Sequence, residues 1–150
     1  MGVIALAAAA GPATVERVKG TLRYEASITK QSYAAGEPID ITLAVTNTGG
    51  SPVSITFTSG QRFEFRVRRP RGGDVWFWSH DKAFLQVIQT ISLKPGEALS
   101  FKEAWDQRDL QGRRVDPGPY EVVAIFMGRA AGGDGQSVQL PPLFFTITGR

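Results

Sequence analysis

The chain is 150 residues long, 42% apolar and 21% charged, enough apolar material for one packed domain and too much for a disordered chain. Seventeen basic residues against fourteen acidic ones leave a net charge of +3, the size of an ordinary solubility charge and only a weak pull on an acidic partner. Cysteine is absent, which excludes disulfides, thiolate nucleophiles and zinc sites of the Cys type, and leaves the redox compartment open.

The chain begins with "MGVIALAAAAGPAT", small and apolar, ending at Gly11-Pro12-Ala13 like the cleavage end of a secretory signal but without its basic start. Two readings stand, a truncated export signal or a flexible extension. Either way residues 1–20 are expected outside a single folded unit spanning 21–150. No other stretch approaches the roughly 18 apolar residues that a membrane span needs, so the mature protein is expected to be soluble.

From Leu22 onward apolar residues take every second place, the mark of strands with one wet and one dry face. Leu22, Tyr24, Ala26 and Ile28 make the first run. After the turn "YAAGEP", Ile39, Ile41, Leu43 and Val45 alternate with polar residues until "NTGGSP" breaks the strand. Val53, Ile55 and Phe57 predict a third strand, and Phe63, Phe65 and Val67 a fourth. "RPRGGD" then predicts a tight turn that returns Asp74 to Trp78 antiparallel to residues 63–69.

Residues 79–89, "SHDKAFLQVIQ", lack both turn residues and alternation, which predicts an excursion or a short helical turn before a strand near Thr90 to Leu93. Beyond the turn "KPGE", Leu99, Phe101 and Trp105 share a face, and the polar loop "DQRDLQGRRVDPG" leads to Tyr120. Tyr120 to Met127 is apolar on both faces, as in a central strand. The last run, Val138 to Thr148, is interrupted by Pro141-Pro142, which marks an edge or a bend. About eight short strands without a convincing helix predict an all-β, two-sheet antiparallel sandwich of immunoglobulin-like type, with a closed barrel as the alternative. "DPGPY" fits the sandwich, since a turn followed by Tyr at a strand start resembles a tyrosine corner.

Enzyme chemistry is poorly served. The one histidine, His80, lies between Ser79 and Asp81, and adjacent residues seldom converge as a hydrolytic triad does in space. No G-x-S-x-G, P-loop or H-E-x-x-H pattern occurs. Asp106, Asp109 and Asp116 share their loop with Arg108, Arg113 and Arg114, so a salt-bridged loop is expected there and no metal or other cofactor. Arg66, Arg68, Arg69 and Arg71 lie near two tryptophans, a pattern superficially suited to nucleic acid. Glu64 and Asp74 share that hairpin, and a solvated sheet face is the expected role. Trp76 and Trp78 fall on one side of their strand and are expected in the core, which leaves Phe77 or Phe84 as an exposed interface anchor.

The runs "YAAGEPIDITLAVTNTGGSPVSITFTSGQRFEFRV", "VWFWSHDKAFLQ", "LKPGEALSFKEAWDQRD" and "VDPGPYEV" resemble the BsuPI family of bacterial intracellular proteinase inhibitors over about residues 33–126. "SGQRFEF" and "VWFWS" carry most of the likeness. The resemblance implies a β-sandwich that binds and inhibits a bacterial subtilisin-like serine protease, inside the cell, without cofactor or catalysis. It does not locate the inhibitory loop. The candidate contact residues are Trp76, Phe77, Trp78, His80, Lys82 and Phe84, with Arg108 on a competing loop from Asp106 to Pro119. The alternative is a non-catalytic accessory sandwich that binds proteins or cell-envelope polymers after export. Exposed edge strands fit a monomer or a weak dimer.

Overall fold

The computed structural model describes residues 11–149. In chain order its strands are β1 (Ala13–Lys19), β2 (Leu22–Ile28), β3 (Ser32–Ala34), β4 (Ile39–Asn47), β5 (Val53–Phe57), β6 (Phe63–Arg68), β7 (Asp74–Phe77), β8 (Gln89–Leu93), β9 (Ala98–Trp105), β10 (Gly118–Phe126), β11 (Arg129–Ala130), β12 (Val138–Gln139) and β13 (Leu143–Thr148). A 3₁₀ turn, Trp78–Asp81, follows β7, and the described residues contain no α-helix. The first ten residues, where the export-signal reading falls, lie outside the described residues.

The alternation reports directly on the layers. One sheet runs β1-β2-β4-β9 and a second runs β3-β13-β10-β6-β7, with β12 also on β10; a third, small sheet is β11-β5-β8. The inward residues of β4, from Ile39 to Val45, are fully buried, as are Phe65, Val67, Tyr120, Val122 and Phe126 across from them. Rings close the gap between the two large sheets. Trp105 on β9 stacks on Trp76 of β7 with centroids 5.9 Å apart and meets Tyr120 and Phe145 edge-on at 6.3 and 6.4 Å. Such pairs add about 0.5–1.5 kcal/mol each beyond the area they bury. The all-β sandwich expected from the sequence is the architecture observed.

Several details differ from expectation. Residues Ala13 to Lys19 are not an extension but an edge strand, paired from Ala13 with Ile28 to Lys19 with Leu22. Their signal was weak because only Ala13, Val15 and Lys19 are half-buried, while Arg17 and Val18 are exposed. The sandwich is not wholly antiparallel, since β3 lies parallel to β13 through Ile147 and Tyr33. Pro141-Pro142 falls between β12 and β13, where the strand shifts register on β10. The β10 register moves from Ile125 opposite Gln139 to Val122 opposite Leu143, so the proline strand carries one extra residue, the signature of a bulge.

Buried polar groups tie the turns to the sheets. Asn47 donates to the carbonyls of Ser51 and Leu93 at 2.8 and 2.9 Å and accepts from Gly49 N–H at 2.9 Å, which joins the end of β4 to the small sheet. A Cβ on Gly49 would lie 2.8 Å from the Thr21 side chain, so this turn needs glycine for close approach. The Tyr120 hydroxyl donates to the Asp116 carbonyl four residues upstream, the geometry of a tyrosine corner. Burial pushes its pKa up, so the phenol remains a donor through neutral pH. Tyr120→Phe is expected to lower stability by about 1 kcal/mol, the usual net worth of such a bond, without changing the far-UV circular dichroism of the fold; urea denaturation measures it.

Candidate protein-binding site

The hairpin of β6 and β7 positions the site. Arg66 pairs with Phe77, so the same register continued would set Glu64 opposite Ser79. There the chain leaves the ladder and the Glu64 side chain takes over. Its carboxylate accepts from the Ser79 N–H at 3.1 Å and from the Ser79 hydroxyl, and it is also reached by Gln61 Nε2 at 3.4 Å. Glu64 is buried, and an unpaired carboxylate there would be costly, which makes these donors a requirement.

The rest of "SGQRFEF" supports the same segment. Phe63 stacks on Trp78 with centroids 4.3 Å apart and on Phe101 at 4.9 Å. Gly60 N–H donates to the Leu85 carbonyl at 2.8 Å. Arg62 lies over the Phe57 ring at 4.0 Å and donates from Nη2 to the Gln89 side chain. Residues 59–65 therefore form a brace beneath residues 78–89. Between Lys82 and Ile88 the braced chain makes neither turn nor bend.

The second irregular loop, 106–119, is built around Gln107. Fully buried and at a φ of 65°, Gln107 donates from Nε2 to the carbonyls of Ala34 and Glu37 at 2.9 and 2.8 Å and accepts from Gly36 N–H at 2.8 Å. These bonds offset the cost of a left-handed backbone at a residue with a Cβ. Asp109 Oδ1 accepts the backbone N–H groups of Gln111 and Arg113, both at 2.9 Å. Leu110 N–H reaches the Val75 carbonyl at 3.0 Å and fastens this loop to β7.

The two loops that compete in the sequence are thus neighbours. They enclose an open cleft of about 340 Å³ with Trp76, Trp78, His80, Lys82 and Arg108 among its walls. Trp76 is 8% exposed and belongs mostly to the core, presenting only an edge. Lys82 lies over the Trp78 ring at 4.6 Å and pairs with Asp81 at 3.1 Å, and that hydrogen bond holds the Asp81 carboxyl below the usual range. Arg108 donates to the Gly112 carbonyl at 3.0 Å and lies 3.6 Å from Asp106.

Phe77 lies on the other side of its strand, under the Arg66 guanidinium at 5.6 Å, and meets the His80 ring edge-on at 6.1 Å. Phe84 was expected as an exposed anchor and instead packs against Trp78 at 5.8 Å, half-buried, because the Phe63–Trp78 stack offers it an apolar surface. The exposed apolar side chains are its neighbours Leu85, Val87 and Ile88. The sequence carried a signal for them, since apolar residues in a stretch without either periodicity have no buried face to occupy. Three of the four arginines of the β6–β7 hairpin are engaged by acids, Arg66 with Asp74 at 2.7 Å, Arg68 with Glu121 and Arg69 with Asp116 at 4.0 Å.

Comparison with known proteins bears directly on this braced segment. The family model for BsuPI, intracellular proteinase inhibitor, matches residues 26–131, which takes in the brace, the segment above it and the 106–119 loop. The chain belongs to the BsuPI family. That family is inhibitory rather than catalytic, and its partner is a protease. No curated protein matches the chain. Solved structures match the chain at low identity. A β-glucosidase from Erythrobacter marinus matches at 16% identity and TM-score 0.44 over 91% of this chain and 16% of its own. A Pseudomonas fluorescens alkylpurine DNA glycosylase bound to abasic-site DNA matches at 15% and 0.46, over 87% and 31%. The C-terminal domain of wzt matches at 12% and 0.49, over 93% and 81%. This chain spans only a sixth to a third of the first two proteins.

Glu64→Ala is expected to cost about 2 kcal/mol, because it leaves the Ser79 donors without their acceptor. It should also speed hydrogen exchange at the Ser79 amide far more than in β4, which mass spectrometry of the exchanged protein resolves.

Proposed function

We propose that this BsuPI-family chain inhibits a subtilisin-like serine protease inside the cell by presenting residues 76–89, with Arg108 at the rim, to the enzyme as a monomer. The supporting observation is mechanical. A segment that lacks regular structure from 82 to 88 is held over a rigid sheet by Glu64, Gly60, Arg62 and Phe63, so its shape exists before the partner arrives. Recognition loops work in this way, and a segment already ordered avoids about 0.5–1.5 kcal/mol of ordering cost for each immobilised side chain. Aromatic and cationic groups at the cleft, Trp78, Lys82 and Arg108, are residue types that concentrate or steer binding at protein interfaces.

Titration of a subtilisin with the purified protein tests this reading, and inhibition at micromolar concentration or below is expected. Phe84→Ala removes packing beneath the segment and should weaken inhibition about tenfold. Arg108→Ala removes a rim charge and should weaken it less than about threefold. The reverse order would assign the contact to the 106–119 loop. Absence of inhibition by the intact protein would leave the accessory-module role in its place.

A further inference from the structure

The cleft does not account for the most exposed apolar part of the molecule. Leu85, Val87 and Ile88 are 76%, 54% and 73% exposed, three aliphatic side chains in four residues. From Lys82, whose φ and ψ are −119° and 152°, the chain passes without turn or bend into β8, and no residue on the way takes a positive φ. The one backbone bond of residues 83–88 outside the strand ladders, among the described residues, is the Leu85 carbonyl with Gly60. The amides and carbonyls of Gln86, Val87 and Ile88 are left to an incoming partner. An extended segment with open backbone groups binds by adding itself as a strand to another protein.

We propose that this strap enters the substrate cleft of the protease as an extended strand. Leu85, Val87 and Ile88 occupy subsites that accept aliphatic side chains, and the backbone of Gln86–Ile88 pairs with the walls of the cleft. The assignment rests on the inhibitor reading above. What selects a cleft over a flat partner is the alternation of an extended chain. In a strand successive side chains point to opposite sides, so on binding as one Leu85 and Val87 would face one way and Ile88 the other. A lipid surface or the sheet face of a second copy would cover one side and leave an aliphatic residue in water on the other. A cleft that closes around a single extended chain covers both. The Gly60 bond holds the Leu85 carbonyl inward, and Arg62 grips Gln89 beyond the strap, so the exposed residues hang between two fixed points.

Val87→Asp and Ile88→Asp test the assignment, because both side chains are in solvent and the changes should leave the circular dichroism spectrum and melting temperature unaltered. Each is expected to weaken inhibition of a subtilisin by about thirtyfold or more, the scale of an interface anchor. Phe144→Asp, at an exposed position on β13 outside the site, should leave it unchanged. In hydrogen exchange the amides of Gln86–Ile88 should exchange freely in the protein alone and become protected in the complex. Full inhibition by both aspartate variants would overturn the strap assignment and leave the inhibitor reading standing. A parent protein that neither binds nor inhibits the protease would remove both. Protection of the strap amides by self-association, or by anionic phospholipid vesicles, would assign it to a second copy or a lipid surface and overturn the proposal.

Discussion

The Glu64 carboxylate, buried on the outer side of β6, is the constraint from which the functional end of the molecule follows. A charge in that position has to be met by donors, and the amide and hydroxyl of Ser79, in the 3₁₀ turn that follows β7, supply them. Satisfying Glu64 fixes where the chain turns after Trp78. It also fixes the side on which Trp78 lies, against Phe63, and the direction in which residues 82–88 depart. Gly60 and Arg62 hold that course farther along. A short run of one strand thus governs a segment that has no regular structure of its own.

The sandwich beneath makes such a brace effective. Trp105, wholly buried, touches Trp76 and Tyr120 of the facing sheet, and Phe63 touches Phe101, so β6, β7 and β9 move together as one body. Loop 106–119 is fastened at two points in its first half, through Gln107 to the turn at 34–37 and through Leu110 to β7. Local opening of loop 106–119 would have to break the buried hydrogen bonds of Gln107, which places it above ordinary surface connections in local stability.

Two-residue periodicity made most of this fold legible, because it marks every strand with one dry face. β2, β4 and β6 stand out for that reason, and the hairpin at "RPRGGD" follows from its turn residues. β1 was missed because an edge strand that buries little carries little pattern, and β3 because three residues are too few to alternate. The parallel placement of β3 on β13 joins residues more than a hundred positions apart, which no local pattern encodes. At the site, the sequence marked the irregular stretches but not their meeting. That meeting depends on Leu110 with Val75 and on side chains such as Gln107, whose polar character in sequence reads as surface. Phe84 was misplaced for a related reason: an aromatic residue in a loop finds a ring to pack on only once Phe63 and Trp78 have stacked.

The same division explains why family membership is easier to read here than the partner. The stretches that carry the BsuPI likeness, Ser59 to Phe65 and Val75 to Ser79, make the brace and its attachment; their side chains and the Gly60 amide are engaged with Ser79, Leu85, Gln89 and one another. Leu85, Val87 and Ile88 meet solvent, so the fold asks little of them. Substituting one aliphatic residue for another there changes what a cleft would read without disturbing a buried contact. On the proposed strap contact, the residues that keep the segment in shape would not be the residues that choose its target. Specificity can then change along the strap while Glu64 and Phe63 continue to hold it in the same place.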